Sequence, residues 1–70
     1  MNPNKFETVF NYIEKHYDSF KMNSVVTEYE GMYDNTRVKI KINHLENSKH
    51  IYMNGCEYFS TKYGKGIRML

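Results

Sequence analysis

Apolar residues recur at Phe6, Val9, Phe10, Ile13, Tyr17 and Phe20, the three-and-four spacing that lines one stripe of an α-helix. The spacing predicts an amphipathic helix that starts near Pro3 and ends around Met22 and Asn23. Lys5, Glu7, Asn11, Glu14, Lys15 and Asp18 then form its solvent face. Two start signals compete. Asn2 before Pro3 offers an N-cap with proline in the first turn, and Asn4 with Glu7 offers a capping-box-like alternative.

After Ser24 the period changes to two. Val38, Ile40 and Ile42 alternate with Arg37, Lys39, Lys41 and Asn43, the pattern of a half-buried strand. The run from Val25 to Tyr33 is rich in β-branched and aromatic residues and is joined to that strand through Asp34-Asn35, a pair suited to a two-residue hairpin turn. That turn sets the register: Tyr33 faces Thr36, Glu30 faces Lys39, Tyr29 faces Ile40, Glu28 faces Lys41 and Thr27 faces Ile42. Val25, Tyr29, Val38, Ile40 and Ile42 then share one face, with two opposite-charge pairs on the other.

Glu46, Asn47 and Ser48 make the next turn. Asn54-Gly55 is a strong hairpin signal, because a type I′ turn needs positive φ at both central residues. It pairs Met53 with Cys56 and Ile51 with Tyr58 on one face, and leaves Tyr52, Glu57, His50 and Phe59 on the other. A continuous strand from His50 to Ser60 with a bulge at Gly55 is the rival reading. Gly64-Lys65-Gly66 interrupts the alternation, so Ile67 to Leu70 is either a last short strand or a frayed tail. The expected fold is α+β, a single domain over 1–70: one N-terminal amphipathic helix packed on a three- or four-stranded antiparallel meander sheet, with Phe10, Ile13, Ile40 and Ile42 at its centre.

Seventy residues bury only about 60% of the surface the unfolded chain exposes, which favours a surface function over an enclosed cofactor pocket. Ten basic and eight acidic residues give a net charge of +2, too balanced to imply nucleic acid by itself. Cys56 stands alone; an internal disulfide is impossible, which suits a reducing, cytoplasmic compartment. No signal peptide or membrane span is expected. Phe, Tyr, Met, Ile, Asn and Lys supply 37 residues and there is no Ala. Those residue types have AT-rich codons, so an AT-rich phage, plasmid or low-GC bacterial genome is the expected source. Without Ala the helix depends on tertiary packing.

Arg37, Lys39 and Lys41, with Tyr52, His50 and Phe59 on neighbouring strands, compose a basic and aromatic sheet face able to stack bases and neutralise phosphates. Paired with Glu28 and Glu30, the same lysines equally well just solvate that face. His16, His44, His50 and Cys56 lack the close paired spacing of structural zinc sites, and Cys56 reads as a small core residue. Gly64-Lys65-Gly66 lacks the spacing of a phosphate loop, and Glu28 with Glu30 are explained as cross-strand partners of lysine. No catalytic, cofactor-binding or metal-ligating residue is therefore expected.

Seven Tyr and four Phe exceed what one small core needs. Rigid aromatic area with a polar tip is favoured at protein interfaces. In size, composition and thiol usage the chain resembles, as a class, the small antagonists that phages encode against host nucleases, CRISPR effectors, restriction systems or polymerase subunits. That resemblance implies a non-enzymatic inhibitor in the host cytoplasm, binding a larger host protein through Tyr52, His50 and Phe59 with Lys39, Lys41 and Arg37 beside them. The alternative is a nucleic-acid-binding or antitoxin-like regulator using the Arg37, Lys39, Lys41 face. A homodimer through an uncovered edge strand is compatible with either.

Overall fold

The computed structural model describes residues 2–70. It is an α+β fold in which one helix lies on one face of a six-stranded antiparallel sheet whose strand order follows the chain. A short 3-10 turn, Pro3–Lys5, leads into α1, Phe6–Lys15. Asn2 supplies the cap, since its Oδ1 accepts from the Asn4 N–H at 2.9 Å and its carbonyl accepts from Lys5. The strands are β1 Tyr17–Met22, β2 Val26–Tyr33, β3 Thr36–Asn43, β4 Ser48–Met53, β5 Cys56–Thr61 and β6 Gly64–Met69.

The helix is shorter than its apolar stripe predicts, and Tyr17–Met22 is a strand. A bulge explains the misreading. The β1–β2 ladder shifts register between Tyr17 and Ser19, so Tyr17 opposes Gly31 while Phe20 opposes Tyr29. The extra residue, Asp18, turns the strand period of two into a spacing of three, which imitates the next helical step after Ile13. The corner falls at His16, and there Gly31 is required: a Cβ on it would stand 2.8 Å from the His16 carbonyl oxygen. Only a residue without a side chain lets the outgoing helix end press onto β2.

Two further strands than expected complete the sheet, β1 at one edge and β6 at the other. Gly64-Lys65-Gly66 does not break the pattern but opens β6, with Gly66 opposite Phe59 and Arg68 opposite Glu57. The expected β2–β3 register is present in full, from Tyr33 opposite Thr36 to Thr27 opposite Ile42. Asp34 and Asn35 have φ of 50° and 61°, and Asn54 and Gly55 have 52° and 72°, so both are two-residue turns with positive φ at each centre. Asn54-Gly55 closes a hairpin, not a bulge. Ser48 belongs to β4, and the turn before it spans 44–47, held by Asn43 Oδ1 accepting from Leu45 and Glu46 N–H at 3.0 Å.

Phe6, Val9, Phe10 and Ile13 of α1 pack on Val38, Ile40, Ile51 and Tyr58 to form the buried core. Ile42 and Cys56 sit half-buried at its margin. The helix covers the middle of the sheet, so apolar side chains on the same face remain uncovered on both sides of it. Toward β1 these are Tyr17, Phe20 and Met22; toward β6 they are Ile67 and Met69. Among the described residues no helix covers the opposite, outer face.

Candidate functional site

The register carries all six sequence-predicted contact residues onto the outer face. Lys39 lies opposite Tyr52, and Lys41 lies opposite His50, which in turn lies opposite Phe59; Arg37 precedes Lys39 by two on the same strand. The structure thus gathers them, but most of them already hold internal partners. Arg37 Nη1 donates to Asp18 at 2.8 and 2.9 Å, and Lys39 Nζ lies 3.1 Å from Glu28, diagonally across the ladder and not with Glu30 directly opposite it. Phe59 spreads its ring over Gly66, where a Cβ would come within 2.5 Å of Cζ. The aromatic residue fills the gap that glycine leaves in the edge strand.

The centre of this face is a residue the sequence reading left aside. Glu57, on β5, is only 2% exposed although it points away from the core. His50 Nδ1 meets Glu57 Oε2 at 2.7 Å, Arg68 Nε pairs with Oε1, and the Tyr52 hydroxyl donates to the same carboxylate. Burial raises a carboxyl pKa, but here the hydrogen bonds from Tyr52, His50 and Arg68, with the Arg68 charge, outweigh it and hold Glu57 below the usual range. Tyr52 is pushed the other way, to about 12, by burial and by the Glu57 hydrogen bond and charge. The signal available in the sequence was register: placing Asn54-Gly55 in the turn puts Glu57 between Tyr52 and whatever strand follows.

The network extends to Ser48, whose Oγ lies 3.0 Å from His50 Nε2. Ser48, His50 and Glu57 therefore form a hydroxyl–imidazole–carboxylate relay, the hydrogen-bond order of acyl-transfer triads. Its setting differs from theirs. Ser48 is 1% exposed, which closes off the approach of a carbonyl carbon to Oγ, and Glu57 is tied to Arg68 and Tyr52 as well as to the imidazole. The relay fixes side chains on the outer face; it locks His50, Tyr52 and Arg68 around one buried charge.

Of the metal-capable residues, His44 Nε2 is 2.7 Å from Thr27 Oγ1, and the His16 ring lies tilted against Tyr12 with centroids 4.5 Å apart. The Cys56 thiol donates to Met69 Sδ at 3.5 Å. Among the described residues no three His, Cys, Asp or Glu side chains converge to hold a metal ion, and no helix is long and apolar enough to cross a membrane.

A second surface is built where the sequence suggested helix. Tyr17, Phe20 and Tyr29 cluster with ring centroids 4.9 to 5.9 Å apart, on the helix side of the sheet next to the last turn of α1. Tyr17 is 47%, Phe20 46% and Met22 68% exposed, and every residue of β1 is exposed. The aromatic rings that were expected on the outer face in Tyr52 and Phe59 are half-buried; Tyr17 and Phe20 are exposed on this rim, and Tyr12 on α1 and Tyr63 in the β5–β6 turn are exposed singly elsewhere. No family model, curated protein or solved structure matches the chain.

Proposed function

We propose that this protein is a non-enzymatic protein-binding module, and that its principal contact is the aromatic rim of Tyr17, Phe20, Met22 and Tyr29. The carrying observation is that Tyr17 and Phe20 are braced against each other and against half-buried Tyr29, yet stay exposed to solvent at the sheet edge. Rings that brace one another are already ordered, so a partner gains their area at low entropic cost. The finer reading is an antagonist of the kind phages direct at host proteins, acting in the host cytoplasm; the chain's small size, AT-rich residue usage and lone thiol support it.

The outer face with Tyr52, His50, Phe59, Arg37, Lys39 and Lys41 is the second contact in this proposal. Its charges favour a protein over a nucleic acid. Arg37, Lys39 and Arg68 each face a carboxylate within ion-pair distance, so a phosphate backbone meets a nearly neutral surface, whereas strong nucleic-acid binding needs several uncancelled cations.

The test is affinity capture from a bacterial host lysate, followed by titration of the purified partner with variants. Phe20→Ala and Tyr17→Ala are expected to weaken binding by about 30-fold, corresponding to a hot-spot loss of roughly 2 kcal/mol, while Tyr52→Ala and Phe59→Ala act less. If rim variants bind unchanged and the Tyr52 and Phe59 variants lose affinity, the contact moves to the outer face. Steeply salt-dependent binding of RNA or DNA, abolished by changing Arg37, Lys39 and Lys41, refutes the protein-binding reading in favour of a nucleic-acid regulator.

A further inference from the structure

The two sheet edges are unequal. β1 is interrupted by the bulge at Asp18 and presents Asp18 and Lys21, devices that discourage strand addition. β6 has an uninterrupted register with β5 from Cys56–Met69 to Thr61–Gly64, and it exposes Ile67 at 52% and Met69 at 79%. Its hydrogen-bonding direction follows from one bond. The Leu70 N–H donates to the Gly55 carbonyl at 3.0 Å. Antiparallel alternation then turns the Arg68, Gly66 and Gly64 backbone groups toward β5 and those of Lys65, Ile67 and Met69 outward.

We propose that β6 is a self-association edge, on which a second copy of this chain pairs antiparallel about a two-fold axis centred on Ile67. The face rule and the outward groups leave this register open: Ile67 opposite Ile67 of the second copy, Lys65 opposite Met69, and Gly66 opposite Arg68. Ile67 then meets Ile67 of the second copy on the helix side, flanked at each end by Met69 of one copy against Lys65 of the other, which covers apolar side chains that are exposed in the single chain. Each pairing is reciprocal, so the contact closes at two copies.

Charge permits the approach. Strands with free cations at like positions repel, but Lys65 lies 3.8 Å from Glu7 and also over the Phe6 ring, and Arg68 is paired with Glu57. Each copy neutralises its own edge before meeting the other. Gly66 adds nothing on the outer face where Arg68 of the second copy arrives.

Sedimentation equilibrium or light scattering across a concentration series reads the outcome. The expected result is a monomer–dimer equilibrium. Ile67→Pro removes an outward N–H that β5 does not use, and by symmetry two intermolecular hydrogen bonds, so dimer dissociation is expected to strengthen by roughly tenfold or more. Ile67→Lys, which sets like charges directly opposite each other, is expected to do the same without a backbone restriction. The control Phe20→Lys on β1 leaves the dimer intact. A chain monomeric at every concentration, a dimer indifferent to Ile67→Lys, a dimer lost in Phe20→Lys, or growth beyond two copies overturns the proposal.

Discussion

Glu57 shows how one buried charge organises a face. Its carboxyl is held below the ordinary glutamate range, so the stabilisation it provides is present above that range, about pH 4.3, and is lost as pH falls through the depressed folded value. Denaturation followed down the acid limb is expected to show this loss in the native chain and a flatter profile in Glu57→Gln. Tyr52 has the opposite sign. Its raised value, about 12, makes its contribution complete below the usual tyrosine value of about 10 and lost as pH climbs toward 12. Phenolate absorbance should therefore show late-titrating tyrosines of which one is lost in Tyr52→Phe, while buried Tyr58, also raised, remains. Two glycines separate steric from conformational cost. Gly31→Ala forces a Cβ to 2.8 Å from backbone oxygen and is expected to cost about 1–3 kcal/mol. Gly55→Ala meets no atom within 4 Å and should cost only the left-handed penalty of about 1–2 kcal/mol.

At the scale of elements, β3 is the strand on which both layers depend, since Val38 and Ile40 meet the helix and its two neighbours complete the ladders. Ile40→Ala is expected to lose on the order of 2–5 kcal/mol in chemical denaturation; a loss below about 0.5 kcal/mol, typical of a surface site, would place this side chain on the other face. The β2–β3 and β4–β5 hairpins were legible because turn chemistry and alternation agreed on one register. β1 was not, because a bulged strand beginning right after a helix carries the helix's own spacing, and nothing between Ile13 and Tyr17 marks the stop. The stop is imposed from a distance by Gly31. β6 was half legible: its glycines looked like a break, and what makes them strand residues is the Phe59 ring laid over Gly66. The Glu57 network escaped for the same reason, as its ligand Arg68 arrives on that unexpected strand. The six outer-face residues were correctly grouped by register alone, whereas the rim could be found only once Tyr17 and Phe20 left the helix.

Across the whole molecule the strand order repeats the chain order, so every strand's partner is already next to it and loop closure is short throughout. The helix is the exception: it comes first, yet its apolar stripe is covered by Val38, Ile40, Ile51 and Tyr58, all later in the chain. A chain ending after Asn43 lacks two of those four and is expected to melt without a cooperative transition. One ending after Thr61 keeps the complete core and should unfold cooperatively, though less stably for want of the Arg68 clamp on Glu57; thermal circular dichroism distinguishes the two. On the ribosome this order has a temporal meaning. Hairpins can close one by one as they leave the exit tunnel, but Phe6, Val9, Phe10 and Ile13 stay only partly covered until β4 and β5 emerge, so the helix, made before every strand it packs on, is the last to be buried, and a nascent chain paused before Ile51 is the form that a chaperone would recognise.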